Sequence, residues 1–237
     1  MFFSMHPECF IHKLYFLINM KTSSLIIFSL LLFITSIHGQ AQSDCTDDYS
    51  IAKNISDTTK WTLFNREVIH KEGIHLDSKA GDGLLYLNDI EFSNGTIELD
   101  IKGSDEKGKS FVGIAFHGTS EEQYDAIYFR PFNFKNTDRN SHSIQFISHP
   151  DYPWHKLRNK YPGQYESSLN PSPNPNAWFH VKLNIQYPIV EVTVDKEIVT
   201  SFKIDDISSR QKGWIGFWVG NYAKGSFKNL KIKPAKK

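Results

Sequence analysis

Three consecutive stretches in the middle of the chain alternate apolar and other side chains, and they constrain the fold more than any other feature. They are residues 111–117, 126–130 and 143–147. In the first stretch Val112, Ile114 and Phe116 share one side. Because successive side chains of a strand point to opposite sides, this period of two predicts three β-strands with one buried face. The other face carries small, polar and aromatic residues, which is typical of the lining of a cleft.

A basic residue, an apolar run and a segment of small residues follow one another near the start of the chain. Lys21 precedes the apolar run Leu25 to Ile37, and Gly39 and Ala41 follow it. This order is that of a secretory signal peptide. A membrane anchor is the alternative, but a run of about 13 residues is shorter than the ~20 that a spanning helix needs. We therefore expect an upstream extension and signal peptide at residues 1–41, and a secreted or periplasmic protein that leaves the membrane after cleavage.

The remaining sequence has the length and charge balance of one soluble domain. We expect a polar leader at residues 42–60 and a single domain at 61–237, since about 195 residues suit one all-β domain. Cys45 is the only cysteine of this part, so an apolar core rather than an intramolecular disulfide must hold the fold. The whole chain has 27 Lys and Arg against 26 Asp and Glu. Nothing in this balance indicates a nucleic acid or an anionic membrane as partner, and the oligomeric state stays open.

Short strand-like runs separated by turn residues continue on both sides of the central stretches. Residues 96–102 alternate, with Ile97, Leu99 and Ile101 on one side. Further runs lie at residues 67–70, 73–77, 83–87, 178–186, 189–195, 197–203, 214–219 and 225–232. Outside the signal peptide no long stretch has the helical period of 3.6 residues. The pattern predicts an all-β, two-sheet antiparallel sandwich of jelly-roll type with little helix.

The longest irregular stretch is residues 149–176, and its first half is rich in aromatic side chains such as Tyr152, Trp154 and Tyr161. A loop of this length in a compact domain is usually functional or disordered. Disordered segments are poor in aromatic residues. We therefore expect an ordered aromatic loop over the cleft in the first half, and a flexible or polyproline-like lead into the next strand from Ser167 onward.

Six residues form the candidate carbohydrate site. They are His117, Tyr128, Arg130, Gln145, Trp154 and Trp218. Sugar rings present an apolar face to aromatic side chains and a rim of hydroxyl groups to polar ones. Arg130 is the best single candidate, because Pro131 ends the strand there and would let the guanidinium reach a rim. The alternative interpretation is that these residues only cover the outer sheet face, or hold the long loop down as a small hydrophobic cluster.

Glu98 and Asp100 are the most suggestive pair of carboxylates. Two positions apart on one strand, they point to the same side at roughly 7 Å from each other. Retaining glycosidases need two carboxyl groups at about 5 to 5.5 Å, so a solvated strand face is the alternative interpretation. No spacing of His and Cys residues indicates a metal, and no nucleotide or phosphate motif indicates a cofactor. We therefore predict no cofactor and no metal, and we assign no catalytic residue.

Several segments together resemble the concanavalin A-like lectin/glucanase superfamily. They are Asn94-Gly-Thr-Ile-Glu-Leu-Asp-Ile, Phe111-Val-Gly-Ile-Ala-Phe, Tyr128-Phe-Arg-Pro-Phe-Asn, Trp178-Phe-His-Val-Lys-Leu, Gly213-Trp-Ile-Gly-Phe-Trp and Gly225-Ser-Phe-Lys-Asn-Leu-Lys-Ile. Within the superfamily the chain looks most similar to secreted bacterial domains grouped with 3-keto-disaccharide hydrolases and glycoside hydrolase family 16. The resemblance implies a jelly roll with a concave sheet and a saccharide-related role. The resemblance does not assign a catalytic residue to this chain, because Lys102 occupies the position at which family 16 has its second catalytic Glu.

Three functional hypotheses follow. The first is a secreted, lectin-like domain that recognises a saccharide in a concave cleft of aromatic and polar residues. The second is a glycoside hydrolase on the same fold that acts on a di- or polysaccharide. The third is a structural or adhesive surface protein whose exposed sheet meets another protein. A cleft with two facing carboxyl groups favours the hydrolase, and a flat apolar sheet favours the surface protein.

Overall fold

The computed structural model describes residues 47–48 and 59–236, and this part of the chain is built almost entirely of β-strands. The fifteen strands of these residues are β1 Asp47–Asp48, β2 Trp61–Phe64, β3 Val68–Lys71, β4 Gly73–Leu76, β5 Gly83–Leu87, β6 Gly95–Lys102, β7 Val112–Ser120, β8 Gln123–Phe129, β9 Ile144–His149, β10 Glu166–Ser167, β11 Phe179–Gln186, β12 Ile189–Val194, β13 Glu197–Lys203, β14 Trp214–Val219 and β15 Gly225–Pro234. One helix, α1, spans Trp154–Lys160. Short 3-10 turns occupy Pro131–Asn133 and Asn140–His142.

The strands of the described residues form two antiparallel sheets. The larger sheet has the order β13-β12-β11-β6-β15-β4-β3, with β1 paired to the end of β15. The smaller sheet has the order β10-β9-β8-β7-β14-β5-β2. Neighbours far apart in sequence, such as β6 beside β15, show crossovers between the sheets rather than a simple meander. The predicted two-sheet antiparallel jelly-roll sandwich is confirmed.

The core lies between the sheets and follows the predicted alternation. In β6 and β11 every second side chain is buried, and Leu99 and Val181, which are register partners, are both fully buried. Phe129 of the smaller sheet packs edge to face on Phe179 of the larger sheet, with 5.2 Å between ring centroids. Each such side chain contributes about 1.5–3 kcal/mol to the free energy of unfolding. Burial of these side chains between the two sheets is therefore the main favourable contribution to folding.

The smaller sheet is covered on both faces, whereas the outer face of the larger sheet is half-exposed. Strand β8 is buried at six consecutive positions from Tyr124 to Phe129. One of its faces packs on the core, and the other lies beneath α1 and the loops around it. This covering forms a cleft on the outer face of the smaller sheet, where the candidate site lies.

Helix α1 differs from the prediction of an irregular loop over residues 149–176. Pro153 precedes the helix in extended conformation, and the following residues include the good helix formers Leu157 and Arg158. The helix has only seven residues, and Leu157 is its one buried side chain. A segment this short, set between prolines, shows no measurable 3.6-residue period, so its pattern did not indicate a helix.

The predicted upstream extension and signal peptide, residues 1–41, lie outside the described residues. Most of the predicted leader, residues 42–60, also lies outside them. Among the residues that the structure describes, no helix is long and apolar enough to cross a membrane.

Candidate functional site

A cleft of about 430 Å³ opens on the outer face of the smaller sheet, between α1 and the loops that follow β14 and precede β5. Its aromatic lining is provided by Phe111, Tyr128, Trp154, Trp218 and Tyr222. Its polar lining is provided by Asp82, His149, His155 and Asn221. This volume is in the range of small-molecule sites, which combine apolar walls with a few convergent polar groups.

The floor of the cleft is a row of side chains across three strands. Gly113 pairs with Tyr128 on one side and with Trp218 on the other. The two rings approach each other over this glycine, with 4.8 Å between their centroids. A side chain at position 113 would place its Cβ 2.1 Å from the carbonyl oxygen of Ile127 and 2.7 Å from the Cβ of Tyr128. The absence of a side chain at Gly113 therefore allows the rings of Tyr128 and Trp218 to pack against each other.

A chain of hydrogen bonds links the floor to the one carboxylate of the cleft lining. The indole Nε1 of Trp218 donates to the hydroxyl of Tyr124 at 3.0 Å. That hydroxyl donates in turn to Oδ2 of Asp82 at 2.9 Å. Burial raises the pKa of Tyr124 far above its usual range, so it remains a donor at any physiological pH. The Asp82 carboxylate is thus held in one orientation while its side chain remains partly exposed to the cleft.

His149 completes the polar side of the cleft. Its ring stacks on Tyr124 with 5.2 Å between centroids, and its Nδ1 lies 3.7 Å from Oδ2 of Asp82. Burial lowers the pKa of His149; Asp82 opposes this shift, while Arg210 and His155 add to it. The imidazole is therefore neutral near pH 7, with the capacity to accept a proton or a hydrogen bond.

Trp154 and Tyr222 are the exposed aromatic side chains of the cleft lining, and Trp154 lies on α1. It is the first residue of α1 and remains 45% exposed. Two guanidinium groups lie near its ring, Arg158 at 5.0 Å and Arg130 at 5.9 Å from the centroid. Arg158 is fixed by an ion pair of 2.7 Å with Glu166, which also contacts His142 at 2.8 Å. Burial alone would raise the pKa of Glu166, but these two partners lower it, so the carboxylate stays charged.

Arg130 does not reach the rim, contrary to the prediction. It is only 5% exposed, and its guanidinium donates to the carbonyl of His142 at 2.8 Å, to the hydroxyl of Tyr128 at 2.5 Å and to Oε1 of Gln145 at 3.2 Å. Pro131 ends the strand as predicted and begins a 3-10 turn, Pro131–Asn133. Arg130 lies beside Tyr128 on the outer face of the sheet and holds the Tyr128 hydroxyl in place. Burial raises the pKa of Tyr128 to about 12.

Gln145 lies beside Tyr128, its register partner, on the same face of the sheet. Its Nε2 donates to the carbonyls of Phe146 at 2.9 Å and Tyr165 at 2.8 Å, and its side chain is buried. These bonds tie β9 to the segment that leads into β10. With both ends of its amide occupied, Gln145 positions Arg130 and does not line the cleft.

His117 lies away from the other five predicted residues. A bulge interrupts the pairing of β7 and β8 after Phe116, and His117 takes a positive φ of 51°. The alternation breaks there, so the side chain turns toward Asp125, with 3.7 Å between Nδ1 and Oδ2. Its Nε2 lies 2.7 Å from the carbonyl of Ser93, and the residue is fully buried. The prediction that His117 shares the cleft face is wrong in this respect.

The structure thus brings together Tyr128, Trp154 and Trp218 in the cleft lining, with Arg130 and Gln145 buried beside Tyr128. Tyr124 and His149 were not among the predicted site residues. They belong to the same alternating faces as Tyr128 and Gln145, and extending two strands by two residues would have found them. Asp82 gave no such signal, because it lies in a glycine-rich turn before β5.

Glu98 and Asp100 lie on the outer face of the larger sheet, away from the cleft. Asp100 contacts Nδ1 of His180 at 2.8 Å and accepts from Asn229 at 2.6 Å. Glu98 pairs with Lys182 at 3.4 Å. These ordinary surface partners match the alternative interpretation of a solvated strand face. Among residues 47–48 and 59–236, no group of three or more His, Cys, Asp and Glu side chains is arranged to hold a metal ion.

Fold and site together define a two-sheet β-sandwich with a ligand-sized aromatic cleft on its smaller sheet. The family model of the 3-keto-alpha-glucoside-1,2-lyase-like domain matches residues 49–233. The chain belongs to this family, and the family resemblance seen in the sequence is confirmed. No curated protein sequence matches the chain.

Solved structures with the same fold include both binding and catalytic proteins. The carbohydrate binding module CBM66 from Bacillus subtilis is 17% identical, with a TM-score of 0.56 over 73% of this chain and 96% of that chain. A galectin-like protein of unknown function from Bacillus subtilis is 12% identical, with a TM-score of 0.57 over 79% and 95%. The β-glucanase of Bacillus licheniformis is 13% identical, with a TM-score of 0.50 over 76% and 94%. At these identities the likeness establishes the sandwich fold.

Proposed function

We propose that the cleft on the smaller sheet binds a saccharide, and that the ligand is an α-glucoside or its 3-keto derivative. The observation that carries this proposal is the combination of the exposed Trp154 ring with an aromatic floor around a single oriented carboxylate, Asp82. The family description, which names a 3-keto-alpha-glucoside, supplies the saccharide class.

Each part of the cleft matches one part of a sugar ring. The ring of Trp154 offers an apolar surface of the kind that stacks on the C–H face of a pyranose. The Asp82 carboxylate accepts hydrogen bonds from hydroxyl groups, and such charge-assisted bonds are stronger than neutral ones. Because Tyr124 already fixes this carboxylate, little orientational freedom is lost when a ligand binds. Asn221 and His155 add further polar groups at the rim.

Calorimetric titration with a panel of α-glucosides, each with and without a keto group at C3, tests the proposal. Trp154→Ala should weaken binding about 5- to 150-fold, on the scale of the roughly 1–3 kcal/mol that stacking of a nucleic-acid base on an aromatic side chain contributes. Asp82→Asn keeps the shape and should also weaken binding. Phe64→Ala removes an exposed aromatic side chain outside the cleft lining and serves as the matched control. Unchanged binding by Trp154→Ala and Asp82→Asn would refute the cleft assignment.

A second candidate function is elimination from a 3-keto-α-glucoside. The favouring observation is the neutral His149 beside Asp82 in the cleft of a chain that belongs to this lyase-like family. A keto group at C3 acidifies the C2 proton, so one base is sufficient. His149 takes that proton, the C2–H electrons form the C1–C2 double bond, and the C1–O bond breaks. The departing oxygen receives a proton from water, and the products are an unsaturated ketone and an alcohol.

Ultraviolet absorbance of the conjugated ketone measures this reaction. The wild-type protein should produce it from a 3-keto-α-glucoside, and His149→Gln should abolish it while saccharide binding persists. Binding without product in the wild type would leave a purely binding role. Hydrolysis by a pair of carboxylates is not favoured, because Asp82 is the only carboxylate among the residues that line the cleft.

We further propose that the domain acts after export, on the basis of the apolar segment Leu25–Ile37. Fractionation of the producing cells should place the protein outside the cytoplasm with residues 1–41 removed. An intact N-terminus in the cytoplasmic fraction would contradict this.

A further inference from the structure

A second pocket, of about 310 Å³, lies on the outer face of the larger sheet. Its base is a cross-strand row in which Ser226 of β15 pairs with Lys102 of β6 on one side and with His75 of β4 on the other. Nδ1 of His75 lies 3.0 Å from the hydroxyl of Ser226. The pocket and the cleft are on different sheets and share no lining residue. A ligand in the pocket therefore makes no contact with the residues of the cleft.

The charge of this pocket is positive. Its lining contains three lysines, Lys71, Lys102 and Lys224, and one carboxylate, Glu72. Glu72 is paired with Lys228, which lies outside the lining. Lys224 pairs loosely with Glu106 at 3.4 Å.

Two of the lysines are available to a ligand. Neither Lys71 nor Lys102 forms an ion pair with any residue in the described part of the chain. Burial lowers the pKa of His75, and Lys71 and Lys224 lower it further, so the imidazole is neutral near pH 7 and the lysines set the local charge. The pocket lining therefore carries more positive than negative charge, and its one carboxylate, Glu72, interacts electrostatically with both Lys228 and Lys102.

The walls of the pocket provide one feature besides charge, which is an aromatic ring. Trp178 forms one wall, and Nζ of Lys228 lies 4.3 Å from its ring centroid. A free inorganic anion has no apolar surface that could pack against the Trp178 ring. The combination of this ring with lysines therefore favours a ligand that has both an anionic group and an apolar face.

We propose that this pocket binds the carboxylate or sulfate group of an acidic saccharide. The anionic group contacts Lys71 and Lys102, and the sugar ring packs along Trp178. Lys102 carries most of the specificity, because it belongs to the cross-strand row at the base of the pocket and forms no ion pair within the described residues. The protein then has two saccharide sites of opposite preference, a neutral one on the smaller sheet and an anionic one on the larger sheet.

Calorimetric titration of the full-length protein with three probes tests the proposal. The probes are a tetramer of galacturonic acid, a sulfated tetrasaccharide and inorganic sulfate, with a neutral glucose tetramer for comparison. Lys102→Ala should weaken binding of an acidic tetramer about tenfold, the usual loss for a hydrogen bond to a charged group. Lys182→Ala, which removes a lysine from the same outer face, should change it less than twofold. Trp178→Ala should weaken the tetramers and leave inorganic sulfate unchanged.

The outcomes distinguish a specific binding site from nonspecific electrostatic attraction to a basic surface. Equal losses in Lys102→Ala and Lys182→Ala would show nonspecific attraction to a basic surface and would overturn the proposal. Inorganic sulfate that binds as tightly as the tetramers would show an ion site without a saccharide. No binding of any acidic probe at about 50 mM salt, where screening is weak, would also overturn it. Trp154→Ala should leave acidic-probe binding intact, so failure of the cleft proposal is distinguishable from failure of this one.

Discussion

Replacing Arg130 with alanine should destabilise the protein far more than a substitution on the surface does. The guanidinium is 5% exposed and makes three hydrogen bonds, to the carbonyl of His142, the hydroxyl of Tyr128 and Oε1 of Gln145. Alanine removes the donors and leaves their acceptors in a space that water enters with difficulty. It also removes the packing of the aliphatic stem beside Tyr128.

The expected loss follows from these contacts. A hydrogen bond to a charged donor contributes about 1.5–3 kcal/mol, and three that share one group are not fully additive, so we expect a loss of about 3–5 kcal/mol. For a domain of this size each kcal/mol lowers Tm by about 2–4 °C, which gives a decrease of about 10 °C. Arg130→Lys should recover part of the loss, because an ammonium group satisfies some but not all of the acceptors.

Urea denaturation and differential scanning calorimetry measure this effect. Arg139→Ala is the control, because Arg139 makes one side-chain hydrogen bond of 3.2 Å, to Asn133, and its loss should cost about 1 kcal/mol. A decrease in Tm of less than ~3 °C for Arg130→Ala, together with abolished saccharide binding, would refute the reasoning. Arg130 would then contact the ligand and would not support the floor.

Two further predictions concern the polar side of the cleft. Tyr124→Phe removes the hydroxyl between Trp218 and Asp82, leaves a buried indole donor unpaired and should cost about 1–3 kcal/mol in urea denaturation; no change would contradict the hydrogen-bonded chain. The lowered pKa of His149 means that the unfolded state binds more protons, so the free energy of unfolding should increase as pH rises from about 5 to about 7. His149→Gln should reduce this slope, with a residual slope from His75, and an unchanged slope would show that His149 does not titrate as described.

Much of the fold followed from alternation alone, because the sandwich buries one face of each strand and the period of two is visible in single runs such as β6. The boundaries of β5 and β14 agree with the predicted runs. Helix α1 was not predictable, because seven residues with one buried side chain carry no periodic signal. Its effect on the site is large, since it places Trp154 over the cleft.

The candidate site was predictable only where strands remain regular. Tyr128 and Trp218 share the floor because their strands keep register through Gly113. His117 lies elsewhere because a bulge, set by pairing with a neighbouring strand, reverses its side. Whether a polar side chain faces a ligand or supports a neighbour depends on tertiary partners, and so the buried role of Arg130 was not visible in the sequence.

A crystal structure of the protein soaked with an α-glucoside tests the central claim most directly. We expect ligand density in the cleft, with the sugar ring against Trp154 and a hydroxyl group within hydrogen-bond distance of Asp82. The same soak of Trp154→Ala should show no ligand there. Density confined to another surface of the wild-type protein, or an empty cleft at a saturating ligand concentration, would contradict the assignment of the saccharide site to the smaller sheet.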